Sequence, residues 1–212
     1  MRAAGDRVLL LHGIGRSPAS LAKLERGLAA AGFETLNLGY KSRTASLDQL
    51  ADQVRREAGA FLDRNDGPLH IVTHSMGGLV ARALIAKYRP ASLGRVVMLG
   101  PPNQGSEIAD LLHRTWLYRR FYGPAGAQLI TGPMPRVDFS LGVIAGDRSL
   151  DPFCWLIIPG PNDGKVSVAR TAIGGMDDHA VLHATHTFMA RNARVLSLTI
   201  RFLRRGRFDA DG

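Results

Sequence analysis

Sorted only into apolar and polar positions, the chain alternates short apolar runs with longer stretches of helical period. The runs at Arg7 to Leu11, Phe33 to Leu38, Leu69 to Val72, Arg95 to Leu99 and Val137 to Ala145 are short and mostly apolar, as strands buried on both faces are, and Trp155 to Ile158 reads as one more. Between them, Leu21, Leu24 and Leu28 predict a helix capped by Ser17, with Pro18 at its first position and Gly32 past its end. Leu47, Leu50, Ala51, Val54, Ala58, Phe61 and Leu62 keep a 3.6-residue period behind a Ser46/Gln49 capping box. Gly77, Gly78, Leu79, Val80 and Ala83 read as the face of a third helix, which Arg89-Pro90 breaks, and Ile108, Leu111 and Leu112 as the face of a fourth. A last helix, from about Phe188 to Leu203, would bury Phe188, Val195, Leu196, Phe202 and Leu203. Strands alternating with helices in this way predict an α/β chain with a mostly parallel sheet and helices on both faces.

Composition narrows this picture. With 212 residues, 45% of them hydrophobic, residues 1–212 are expected to form one domain with a substantial core. The 27 basic and 18 acidic residues leave a charge of +9, nearly all of it arginine, since Lys23, Lys41, Lys87 and Lys165 are the only lysines. Such a surplus suits nucleic acid, anionic lipid or acidic substrates, but the bases are scattered, so no specific nucleic-acid partner is expected. The densest group, Arg201, Arg204, Arg205 and Arg207, ends the last helix, where positive charge complements the helix dipole. Cys154 is the lone cysteine, so no intrachain disulfide can form. With a polar start from Met1 to Asp6 and no membrane span visible, a cytoplasmic protein is expected, with peripheral membrane contact left open. One stretch resists the strand-helix scheme. Residues 115–135 open with Trp116-Leu117-Tyr118-Arg119-Arg120-Phe121-Tyr122 and loosen into glycines and prolines; they read either as a small cap or as an ordinary connection.

Candidate chemistry gathers around Leu69 to Ala81, LHIVTHSMGGLVA. A buried strand running into Ser75 and then into a helix rich in small residues is the setting of a nucleophile elbow, where a sharp turn lifts a hydroxyl out of the sheet. The usual G-x-S-x-G pattern is T-H-S-M-G here, with Thr73 at the first glycine position. A serine so placed needs two N–H donors for an oxyanion, a histidine base and an acid. Met76, next to the nucleophile, and Ile14, flanked by Gly13 and Gly15 after the first strand, are the donor candidates. A phosphate-binding loop fits His12-Gly13-Ile14-Gly15 less well, because the third glycine is missing.

The base must come late in the chain, since this arrangement orders its groups serine, acid, histidine. His179, His183 and His186 compete, and their spacing would also let all three share a helical face as a zinc site near Asp177 and Asp178, although no His-Glu-x-x-His pattern is present. His186 is first choice, standing just before the last helix, and His183 is the reserve. For the acid, Asp163 in Gly160-Pro161-Asn162-Asp163-Gly164-Lys165-Val166 leads, Asp147 at the end of Val143-Ile144-Ala145-Gly146 is its rival, and Asp178 comes third.

The motifs HGIGRS, THSMGG, GPPNQGS, NDGKVS and ATHTF, in this order, resemble the lipase and esterase branch of the α/β-hydrolase superfamily, small bacterial lipases above all. The resemblance runs from the first strand to the last helix. It implies an α/β-hydrolase fold with at most a minimal cap, and a serine hydrolase that cleaves small-molecule or lipid esters through Ser75, His186 and Asp163 with an acyl-enzyme. Ile14 and Met76 would form the oxyanion hole, and no metal or organic cofactor would be needed. It also implies that Asn103 or Gln104, in GPPNQGS, contacts substrate, as Trp116 in the cap stretch would. The same machinery serves an acyltransferase or a thioesterase, and a non-catalytic module binding anionic lipid or nucleic acid is the reading from another class.

Overall fold

Strand β1 (Arg7–Leu11) is buried at all five positions, and its side chains divide between two faces. Val8 and Leu10 enter one core and Leu9 and Leu11 the other, as the two-residue period of a strand requires. A strand with two apolar faces needs cover on both, and the helices supply it. A computed structural model of the chain describes residues 5–112, 115–116, 136–150 and 157–209. In it β1 pairs in parallel with β2 (Glu34–Leu38) and β3 (Leu69–His74), and β4 (Leu93–Leu99), β5 (Leu141–Gly146) and β6 (Asp178–Leu182) follow. The result is one six-stranded parallel sheet in the order β2-β1-β3-β4-β5-β6.

Helices α2 (Leu47–Leu62) and α3 (Gly77–Tyr88) cover one face, where Leu50, Val54 and Leu84 meet Leu9, Ile71 and Met98. On the other face α1 (Ala22–Ala30) and the last helix, α6 (Ala193–Arg205), bring Leu24, Leu28, Val195 and Phe202 onto Val8, Val72 and Ile144. Each such side chain contributes about 1.5–3 kcal/mol over its exposed state. Both halves of the Ser46/Gln49 capping box form, so α2 starts where its sequence says. Between β4 and β6 lie the short helices α4 (Glu107–Leu112) and α5 (Val168–Thr171).

Several expectations need correction. The helix expected from Ser17 begins as a 3-10 turn, Pro18–Leu21, and the Ser17 side chain makes no cap bond. β5 starts at Leu141 rather than Val137. Ile157 and Ile158 belong to no strand, and Trp155 lies outside the described residues. The sixth strand is Asp178–Leu182 instead, an edge strand whose half-exposed positions hide the apolar run that marked the others. Leu111 (58% exposed) and Phe188 (52%) face solvent rather than a core; Phe188 precedes a 3-10 turn, and Asn192 is the residue that caps α6. The side chains of Ile108 and Leu112, and all of the proposed cap except Thr115 and Trp116, lie outside the described residues. No helix among those described is long and apolar enough to cross a membrane.

At the amino edge of the sheet, fully buried Arg7 gathers the connections around it. Its guanidinium donates to the carbonyls of Phe61, Arg64 and Gly67 and to Ser92 Oγ, and its Nε pairs with Asp66 at 3.3 Å. At the carboxyl edge the fold depends on Gly77, where α3 starts against β1. A Cβ there would lie 2.4 Å from the Leu11 carbonyl oxygen and 2.9 Å from that of His12. Backbone cannot yield as a side-chain tip can, so Gly77→Ala should cost about 1–3 kcal/mol, read as a lower urea midpoint with unchanged slope.

Candidate active site

β3 delivers Ser75 into a turn with φ +55°, the one positive φ of a non-glycine residue among those described. An L-residue holds such a conformation at a cost of about 1–3 kcal/mol, so the surroundings must enforce it. They do: Ser75 N–H donates to Leu99 O at 2.8 Å, and Ser75 O accepts from Gly78 N at 3.0 Å. The turn is thus tied to the end of β4 and to the first turn of α3. Thr73, at the first glycine position, is fully buried with its hydroxyl facing Gly78 at the start of α3.

The NDG turn builds the acid from its backbone outward. Asn162 Oδ1 accepts from Gly164 N at 3.0 Å, and Asp163 Oδ1 accepts from the Lys165 and Val166 amides, each at 2.9 Å. The other oxygen, Oδ2, lies 2.7 Å from His186 Nδ1, and His186 N–H donates to Asp163 O at 2.9 Å. Burial pushes the Asp163 carboxyl up, but His186 beside it and the hydrogen bonds it accepts outweigh that and hold it below the usual range. A carboxylate only accepts, so the His186 nitrogen facing it, Nδ1, bears a hydrogen; in the neutral ring Nε2 is then the acceptor nitrogen. Gly100, the residue after Leu99, lets this pair come close to the elbow: a Cβ there would be 2.9 Å from Asp163 Oδ2 and 3.2 Å from His186 Nδ1.

The rivals form their own pair. Asp147 Oδ1 lies 3.0 Å from His183 Nδ1, with the His183 side chain 72% exposed, whereas Asp163 and His186 are buried. Asp178 is spent on the backbone, accepting from His179 N and Phe208 N. His179 stands in β6 with its Nε2 3.0 Å from Thr171 Oγ1, so the histidines share no helical face, which removes the basis of the zinc reading. Among the described residues no three His, Cys, Asp or Glu side chains gather as metal ligands.

For the oxyanion candidates, Gly13 carries the first loop against Ser75, where a Cβ would meet Ser75 Cβ at 3.0 Å. Among the described residues neither the Ile14 nor the Met76 N–H has a hydrogen-bond partner. The loop is held by buried residues that the sequence reading passed over: the His12 ring stacks on Tyr40 at 4.2 Å, and the Tyr40 hydroxyl donates to His12 O. Asn103 and Gln104, expected at the substrate, are engaged elsewhere. Asn103 is fully buried with Nδ2 on Thr171 O at 2.8 Å, and Gln104 Nε2 reaches Ala172 O at 2.9 Å, so both clamp the segment to α5. Trp116 is exposed. A cavity of about 250 Å³ borders the acid-histidine pair, lined also by Leu150, Lys165, Thr187 and Phe188.

A family model described as a domain of unknown function (DUF7379) matches residues 1–138. No curated protein matches the chain in sequence. Among solved structures, the Bacillus licheniformis lipase BlEst2 in its propeptide form is similar, with TM-score 0.70 and 20% identity over 87% of this chain and 47% of that one. The chain therefore spans about half of that protein's length. The mature form of BlEst2 gives TM-score 0.65 and 19% identity over 87% of both chains. The type II thioesterase BorB from the borrelidin biosynthetic cluster gives 0.60 and 16% over 94% of this chain and 92% of that one. These likenesses establish the α/β-hydrolase fold.

Burial holds His12, His70 and His179 below their ordinary 6.5 and presses His74 down to about 3. Such histidines take up their protons on unfolding, so their contribution to stability is complete above 6.5 and is lost as the pH falls toward 3. Urea midpoints should therefore decline once the pH drops below about 6.5, as the unfolding free energy falls by up to about 1.4 kcal/mol per proton per pH unit. A midpoint that stays flat down to about pH 4 would contradict these burial effects.

Proposed function

Because the chain belongs to the family described as a domain of unknown function (DUF7379), membership brings it no activity, and we propose from its own residues that it is a serine hydrolase acting on carboxylic esters. The observation that carries this reading is the buried Asp163–His186 pair, in which Nδ1 is turned to the carboxylate and Nε2 is left as the nitrogen that can act as base, at the sheet edge where Ser75 is held in its strained turn. Ser75 Oγ attacks the ester carbonyl while His186 Nε2 takes the hydroxyl proton. Charge develops on the carbonyl oxygen, and the N–H groups of Ile14 and Met76, which have no partner among the described residues, receive it. His186 then returns its proton to the leaving alkoxide, and the acyl group stays on Ser75. Water, deprotonated by the same nitrogen, releases the acid and restores the serine. Asp163 remains a carboxylate throughout, fixing the tautomer and stabilising the imidazolium.

Leu150 and Phe188 give the adjoining cavity an apolar side suited to an acyl or alcohol chain, and Trp116 is proposed as a further contact. Asn103 and Gln104 are reassigned to holding α5 in place. Thioester cleavage is the second reading, favoured by the likeness to BorB over nearly the whole of both chains. Paired oxygen esters and thioesters of one acyl group separate the two.

Ser75→Ala should fold normally by circular dichroism and lose at least about 10³-fold in kcat on p-nitrophenyl esters. Retention of that activity would end the proposal. Between the two acids, Asp163→Asn should cost about 10⁴-fold in kcat, as a wrong imidazole tautomer does, while Asp147→Asn stays within a few-fold. The reverse ranking would move the acid to Asp147.

A further inference from the structure

His74, the last residue of β3, is a buried polar residue that the mechanism above does not use. Its Nε2 lies 2.9 Å from the main-chain carbonyl of His186, and the two rings are 4.8 Å apart at a tilt of 44°. A carbonyl oxygen can only accept, so Nε2 bears the hydrogen. Burial keeps the ring neutral, which leaves Nδ1 bare; a Cβ on Gly13 would lie 3.5 Å from it. One imidazole thus bonds the His186 loop, has the glycine of the first loop beside it, and adjoins Ser75 in the chain.

Among the described residues the other hydrogen bonds of His186 run to Asp163, from its N–H and from its Nδ1. Those two bonds join acid and histidine, both carried on loops beyond β5, to each other and not to β3. The hydrogen bond from His74 ties them directly to the strand that leads into Ser75. We propose that His74 is a positioning residue for the general base, its Nε2–H holding the His186 carbonyl so that the acid-histidine unit keeps its register with the elbow on β3. This rests on the hydrolase reading for its kinetic consequences, although the contact itself stands apart from it. A misplacement of about 1 Å in a reacting group costs about 10²-fold in rate.

His74→Leu fills similar space without a donor, whereas His74→Gln keeps an N–H at comparable reach. On p-nitrophenyl acetate, His74→Leu should lose about 10²-fold in kcat with KM changed less than about threefold, and His74→Gln should recover to within about tenfold of the parent. A residue that merely fills the core would lower the urea midpoint in both variants and leave kcat intact, and that result overturns the proposal. So does equal loss of kcat in the two. Should His74→Leu not fold, the ring nitrogen shifts of ¹⁵N-histidine-labelled parent protein decide: His74 with its proton on Nε2 supports the proposal, and His74 with its proton on Nδ1 overturns it. Loss of activity in Ser75→Ala together with an unimpaired His74→Leu sinks this inference alone. Full activity in Ser75→Ala sinks the hydrolase reading, and the nitrogen shifts still judge the contact.

Discussion

Three strand ends, β1, β3 and β4, must reach one point of the sheet edge without side chains keeping them apart. That close approach governs the rest of the molecule. α3 can begin at the elbow because Gly77 lies directly under the Leu11 carbonyl, and the acid-histidine pair can come near it because Gly100 presents no Cβ. Parallel strands put all their carboxyl ends on the same edge, so loops after β1, β3, β5 and β6 carry Ile14, Ser75, Asp163 and His186 to that edge from positions far apart in the chain. The strain at Ser75 is sustained by the same packing: its N–H is tied to Leu99 and its carbonyl to Gly78.

The parts of this arrangement legible in the sequence are those set by local chemistry. The period of α2 and its capping box act within a few residues, and the central strands betray themselves because burial on both faces demands unbroken apolar runs. β6 escaped because an edge strand has no such demand, and its Asp178-His179 start resembled a ligand cluster. The two acids and two histidines were harder still. Order along the chain allows either acid with either histidine, and both pairs in fact form; what separates them is that Asp163–His186 is buried and Asp147–His183 is not. Burial of a loop residue is a property of the assembled fold. For the same reason Asn103 and Gln104 looked like substrate contacts, although their amides are used on the backbone of α5 and its end.

The positive charge has a related explanation. Arg95 donates to Leu203 O, Arg201 to Phe208 O and Arg204 to Ala31 O, so several arginines serve as donors for carbonyls that helix ends and turns leave unpaired. A guanidinium suits this task, having five donors in a fixed plane and no need for an acidic partner. The arginine-rich end of α6 is thereby accounted for in part by the fold itself, which agrees with the scatter of bases seen in the sequence.

Arg7 takes this use of arginine to its limit, joining the end of α2, the turn before β3 and Ser92 before β4 through one buried cation. The surface turn Asn65–Pro68 would otherwise be an inviting place to graft a tag, open a circular permutant or accept a protease cut. Opening it would withdraw the Gly67 carbonyl and the Asp66 carboxylate and leave a buried charge short of partners. The outer-looking loop on the side of the sheet away from Ser75 is therefore the wrong place to begin re-engineering the protein.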